Sequence, residues 1–430
     1  MKKYIRSVKN MFRKSLCIIC VLISLSLLAI SAESIISYNL HDKLAPSECT
    51  ANPQNITILE SRAGTGVSLP SKDIYAKSAC LMDQASGRIL YNKEADTPLP
   101  MASTTKIMTC ILALENAASD SIVKASKYAS GMPDVQLNMA EGEEFRLSDL
   151  LYSLMLESHN DTAAAIAEHI GGSVKEFAGM MNKKASELGC SDTCFVTPNG
   201  LDSDNHHSTA ADLCLIASYA VKNPEFIKII QTPSHSFSNM AGTKQYTVNN
   251  HDAFLKMYNG AIGIKTGFTG KAGYCFVGAA TRNDMTLISA VLASGWPPHK
   301  TYKWNDTCKL MDYGFDNYKT TTLLNGKISL NPLSIKDSRN ICNSTSKQVS
   351  LSLSATYSMP VCEGDSSSLI LELPEYLTAP VGNNETIGYA RLVVNDKVVN
   401  KYPITAAEDI PEYTLLNYFS IVIDTFMLKM

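Results

Sequence analysis

What this chain has little of narrows its function early. Its 38 basic and 41 acidic residues nearly cancel to a formal net charge of −3, which gives no reason to expect nucleic acid as a partner. The chain holds 12 cysteines, yet no Cys-x-x-Cys pair occurs beyond Cys17 and Cys20. Neither a zinc ribbon nor a dithiol redox motif is therefore indicated. Cys190 and Cys194 are the nearest neighbours among the rest and are open to pairing, metal binding or packing. A free thiol behaves as a small apolar residue, so packing is the expected outcome. No cysteine or carboxylate ligand pattern surrounds His206 and His207, and neither a metal nor a cofactor is expected. The apolar run from Leu16 to Ile30 is short for a membrane-spanning helix.

That run has a different meaning in context. Lys2, Lys3, Arg6, Lys9, Arg13 and Lys14 precede it, and Ser31-Ala32 follow it as small residues ahead of Glu33. This is the layout of a secretory signal peptide over residues 1–32, with an uncleaved N-terminal anchor as the alternative. Either way the remainder is expected to be exported. The length of 430 residues and a hydrophobic fraction of 45% support more than one domain with a substantial core.

Residues 33–72 are polar and irregular and read as a linker. Ser78–Asp83 and Arg88–Asn92 flank a Gly-containing turn and predict a β-hairpin. Ile107 to Leu114 is polar only at Thr109, so a helix there would be buried on all sides. Ser148 is placed to cap a helix from Asp149 to about Glu157. Asn160 and Asp161 then open a helix over Thr162–Ile170, closed by Gly171-Gly172. Further helices are expected over Val174–Leu188 and Ala210–Lys222, with turn chemistry at Thr197 to Asp202. The period then changes. A strand is predicted over Ile262–Thr266, broken by the glycine-containing stretch from Gly267 to Gly273. Strands over Tyr274–Thr281 and Met285–Leu292 and a helix near Tyr302–Tyr313 complete an α+β domain spanning residues 73–319. Residues 320–407 read as a small all-β domain without a catalytic pattern. There Val349–Leu353 alternates, and Asn395-Asp396 marks a hairpin. Residues 408–430 predict an amphipathic helix lying on a membrane surface, with packing on the β-domain as the alternative. Asp424 argues against a span.

Three polar clusters stand in order along this frame: Ser103-Thr104-Thr105-Lys106, Ser158-His159-Asn160 and Lys265-Thr266-Gly267. Serine three residues ahead of lysine at the start of a buried helix places both on one face. Desolvation would lower the lysine's pKa and make it a base for the serine. Each cluster alone is common. Together they are the motif set of penicillin-binding proteins and class A β-lactamases.

With these motifs the chain resembles the low-molecular-mass penicillin-binding proteins that are serine-type D-alanyl-D-alanine carboxypeptidases. The resemblance extends to Leu81-Met82-Asp83 with Ser86-Gly87, Met101 to Thr109, Asn199-Gly200-Leu201-Asp202, Ser208-Thr209-Ala210 and Ile264 to Gly267. It runs from about residue 73 to the C-terminus. It implies a transpeptidase-like domain, the small β-domain and the terminal amphipathic helix. It also implies that Ser103 is acylated by the carbonyl between the two terminal D-alanines of a peptidoglycan stem peptide. Lys106 would take the serine proton, Ser158 would relay it to the departing D-alanine, and Asn160 would hold the substrate amide and the lysine. Lys265, Thr266 and Gly267 would face the terminal carboxylate, and the backbone N–H groups of Ser103 and Phe268 would form the oxyanion hole. β-Lactams would trap the same serine. The resemblance further implies attachment to the outer face of the cytoplasmic membrane. His159 fills the variable middle of its motif and is expected to face solvent or cap the helix. Ala211 stands where such proteins often carry a longer, sometimes basic residue. A DD-endopeptidase, a β-lactamase and a non-catalytic cell-wall protein of the same fold are the alternatives.

Overall fold

The structure, a computed structural model, describes residues 54–59, 69–336 and 348–410. The expected signal peptide, most of the expected linker and nearly all of the expected terminal helix lie outside them. Strand β1 (Gln54–Leu59) falls within the stretch read as an irregular linker and corrects that reading. It pairs antiparallel with Ser367–Glu372, so this segment belongs to the distal sheet.

The sequence's hairpin forms β2 (Ser78–Asp83) and β3 (Ile89–Lys93). They join β4 (Ala261–Thr269), β5 (Gly273–Arg282) and β6 (Met285–Leu292) in one antiparallel sheet of order β3-β2-β6-β5-β4. Side chains on β6 alternate between two cores. Ile288 faces a cluster with Ile107, Met108 and Ala217, whereas Leu287 faces one with Trp304, Leu310 and Met311. Helices thus cover both faces of the sheet, which is why its strands read as continuous apolar runs.

Helix α1 (Lys106–Asn116) buries every residue from Lys106 to Ala113, as its all-round apolar pattern requires. It is entered through a 3-10 turn, Ala102–Thr105, rather than through the α-helix expected at Ser103. The helix expected from Asp149 to Glu157 divides into an α-turn, Leu147–Tyr152, and a π-helical turn, Ser153–Glu157. Ser148 lies inside the first of these and does not cap it; Arg146 is the N-cap, without a side-chain bond. Helix α2 (Asn160–Gly171) ends at left-handed Gly172, helix α3 (Ala210–Ala220) packs on the sheet, and helix α4 (Tyr302–Asn317) covers its other face.

From Lys319 the described residues form strands and their connections. A six-stranded sheet contains Lys319–Ile328, Leu351–Val361, Ser367–Glu372, Thr386–Val394, Lys397–Ala406 and β1. The Asn395-Asp396 hairpin turn has both residues at positive φ, 47° and 62°, the geometry that two-residue hairpin turns prefer. Arg88, in the turn between β2 and β3, ties this region down. It donates to both oxygens of the buried Asp365 at 2.7 and 2.8 Å and to the Pro360 carbonyl.

Candidate active site

Four segments distant in sequence meet at the start of α1. The 3-10 turn brings positions three apart nearly into register, and Lys106 Nζ lies 3.1 Å from Ser103 Oγ. Ala102 sits at φ 50°, a left-handed conformation unusual for a residue with a side chain. The hydroxyls of Thr104 and Thr105 donate to the Met101 and Ala102 carbonyls at 2.7 and 2.8 Å and hold the turn.

Lys106 is wholly buried. Its amine donates to Asn160 Oδ1 at 2.8 Å and to the Asn199 carbonyl at 2.6 Å. Burial pushes its pKa well below the usual lysine value; the charge of Lys265 adds to that, and Asp161 opposes it. A neutral amine has two N–H bonds and one lone pair. The two carbonyl oxygens accept the N–H bonds, which leaves the lone pair for the Ser103 hydroxyl. The site can therefore take a proton from Ser103.

The Asn160 amide is fixed at its other end, where Nδ2 donates to the Pro133 and Asp134 carbonyls at 3.1 and 3.0 Å. The loop carrying them is held by buried Asp161, which accepts from the Leu137 and Met139 N–H groups. Asp161 was not among the expected site residues. Its position directly after Asn160 was the available signal, but its partners lie more than twenty residues away. The Asn199 carbonyl was missed for the same reason: the Asn-Gly pair read as turn chemistry and as part of the family resemblance, with no contact to Lys106 implied.

Ser158 lies between the π-helical turn and α2 at φ 69°, ψ 31°. Its Oγ is buried and, among the described residues, has no hydrogen-bond partner. His159 stands at the N-cap position of α2, without a side-chain cap bond, and at only 4% exposed it corrects the expectation that it faces solvent.

Among the described residues strand β4 is an edge of the five-stranded sheet, paired only with β5. It continues through Gly267 to Thr269 instead of breaking after Thr266. Gly267 fits there because a Cβ would come within 2.9 Å of Ser103 N and 3.0 Å of Ala102 Cβ. A glycine inside a strand often marks such a close approach of another backbone. Lys265 is 3% exposed. Burial lowers its pKa to about 7, with Asp252 opposing the shift and Lys303 adding to it. Thr266 is half-buried, and Phe268 is exposed and packs on Tyr274 with ring centroids 4.6 Å apart.

His206 is buried beside the turn Ala102–Thr105, with both ring nitrogens hydrogen-bonded. Its Nδ1 accepts from Val196 N–H at 3.0 Å, so Nε2 carries the proton toward Thr105 Oγ1, also at 3.0 Å. Cys190 and Cys194 are both free thiols. Among the described residues no group of three or more histidine, cysteine or acidic side chains converges as a metal site would require.

Comparison with known proteins agrees with this geometry. Residues 64–295 match the family described as D-alanyl-D-alanine carboxypeptidase, and residues 334–412 match the C-terminal domain of penicillin-binding protein 5. The D-alanyl-D-alanine carboxypeptidase DacC of Escherichia coli is 30% identical over 382 residues, covering 84% of this chain and 90% of that protein. DacF of Bacillus subtilis is 29% identical over 351 residues, covering 80% of this chain and 88% of its own length. Among solved structures, penicillin-binding protein 5 of Haemophilus influenzae aligns with a TM-score of 0.65 at 27% identity, over 81% of this chain and all of that one. The chain belongs to the D-alanyl-D-alanine carboxypeptidase family.

Proposed function

We propose that Ser103 is the acylated nucleophile of a serine D-alanyl-D-alanine carboxypeptidase that trims the terminal D-alanine from peptidoglycan stem pentapeptides. One observation carries the reading: a buried lysine whose two N–H bonds are committed to carbonyls lies 3.1 Å from a serine hydroxyl. Lys106 takes the Ser103 proton as Oγ bonds to the penultimate D-alanine's carbonyl carbon. The N–H groups of Ser103 and Phe268 stabilise the oxyanion, each such donor being worth about 2.7–4 kcal/mol. The C–N bond then breaks, Ser158 passes a proton to the departing amine, and water releases the acyl group from Ser103. Asn160 holds the lysine and the substrate amide. Lys265, Thr266 and Gly267 receive the terminal carboxylate along the open edge of β4. The basic and apolar start of the chain and its amphipathic end support export and attachment to the outer face of the cytoplasmic membrane.

The test is product release. Purified protein should liberate D-alanine from a pentapeptide, be covalently labelled by a penicillin, and turn penicillin over far more slowly than it is acylated. Fast penicillin hydrolysis with no D-alanine release would make it a β-lactamase. Preferential cleavage of crosslinked dimers would make it an endopeptidase. Among the described residues no carboxylate is hydrogen-bonded to Ser103 or Lys106, which supports slow turnover of the acyl-enzyme.

The carboxylate subsite gives a pH prediction. With a pKa of about 7, Lys265 is cationic below that pH and neutral above it. KM for the pentapeptide should therefore rise above neutrality, by about tenfold per pH unit if only the cation binds. Lys265→Gln should raise KM at pH 6 and flatten the profile. An unchanged slope in that variant would remove Lys265 from the subsite.

A further inference from the structure

Ser158 carries two unfavourable features at once. A non-glycine residue in the left-handed region is sterically strained, and a buried hydroxyl without a partner loses its hydration as well. The surroundings must over-determine this conformation for it to persist. The residues on either side of it are joined to each other: Glu157 Oε2 lies 3.2 Å from His159 Nε2. That contact closes a side-chain bridge from the residue before Ser158 to the residue after it.

The bridge is anchored at both ends. His159 Nδ1 lies 2.8 Å from Ser153 Oγ on the π-helical turn, and Ser153 Oγ lies 2.8 Å from Thr162 Oγ1 on α2. Glu157 Oε1 accepts the Asn249 N–H at 2.8 Å. One proton arrangement satisfies the whole chain: Thr162 donates to Ser153, Ser153 to Nδ1, and Nε2–H to Glu157. This is the arrangement for a neutral imidazole; a protonated ring would donate at both nitrogens, with Ser153 donating to Thr162 instead. Desolvation lowers the His159 pKa; Asp161 and Glu157 oppose that, while Lys106 and Lys265 add to it. His251, whose Nε2 is 3.9 Å from Glu157 Oε1, is the other titratable group facing the carboxylate. π-Helical turns recur at functional sites, and here the turn ends where the bridge begins.

We propose that the Glu157–His159 bridge holds Ser158 in its left-handed conformation, making His159 a positioning residue for proton transfer through Ser158. The proposal rests on the reading of Ser158 as the relay, and the experiment separates the two. D-Alanine release and the rate of penicillin acylation are measured for wild type, Ser158→Ala, His159→Ala, His159→Gln and the Ser158→Ala/His159→Ala double variant. Ser158→Ala should lose about 100-fold or more in kcat, within the range for a lost acid–base group. His159→Ala should lose about tenfold in kcat at nearly constant KM, and the double variant should be no slower than Ser158→Ala alone. His159→Gln, whose amide N–H reaches the Nε2 position, should recover most of the rate. Multiplying losses in the double variant, or wild-type rates in His159→Ala, would overturn the bridge while leaving the relay standing. Full activity in Ser158→Ala would remove the relay and the bridge's role together. If His159→Ala fails to fold, Glu157→Ala, which breaks the same contact from its more exposed side, carries the same comparison.

Discussion

Ser103→Ala abolishes penicillin labelling and D-alanine release, and Lys106→Met comes close to it, losing at least about 10³-fold in acylation rate. These are the expected results if the two residues act as one unit. A general base is worth about 10²–10⁴-fold, and the Lys106 amine lies 3.1 Å from Ser103 Oγ, buried and held by Asn160 and Asn199. Groups that act together give losses that do not multiply. The double variant should therefore match Ser103→Ala within experimental error. Methionine fills the lysine's space without a charge, so the fold should persist, as circular dichroism and thermal melting would show. Cys110→Ala, altering a buried thiol on the same helix, should keep its label. Labelling of Ser103→Ala, or a Lys106→Met rate near wild type, would remove the pair from the chemistry.

The contact between Ser103 and Lys106 was legible because it is local: three residues apart, at the head of an apolar helix. What completes it is not local. The two oxygens that hold Lys106 come from 54 and 93 residues further along the chain, and no pattern at Lys106 announces them. His159 read as a solvent-facing or capping histidine because it fills the variable middle of its motif. Its burial follows from Ser153 and Glu157 closing over it, through a π-helical turn that helical periodicity does not distinguish from an α-turn. Gly267 read as a strand end because glycine weakens isolated strands, yet the close approach of the Ser103 backbone selects it inside one. The strand Gln54–Leu59 was missed because it lies at the edge of a sheet whose other members all lie in the second half of the chain, from Lys319 onward. The sheet and its main helices were read closely, Met285–Leu292 to the residue, because alternating or all-round apolar runs are local too.

Gly200 tests how tightly the fold holds the nucleophile turn. It sits at φ +85°, and a Cβ there would lie 2.0 Å from the Ala102 carbonyl oxygen and 2.9 Å from Ser103 N. Ala102 is itself left-handed, so the backbone on that side has little room to yield. Relief must come from moving the segment that carries the Asn199 carbonyl, which is bonded to Lys106. Gly200→Ala should therefore destabilise by about 4 kcal/mol or more, at the severe end of single substitutions. In whatever fraction remains folded, acylation should also be slow. Gly172→Ala is the internal control. That glycine has φ +73° but nothing within 4 Å of the added Cβ. It isolates the left-handed backbone penalty, about 1–2 kcal/mol, from the clash. Urea unfolding of both variants, with penicillin labelling of the folded fraction, separates the two contributions. If Gly200→Ala proved no less stable than Gly172→Ala and labelled at the wild-type rate, the close contact between the Asn199–Gly200 turn and the nucleophile turn would not be what positions Ser103.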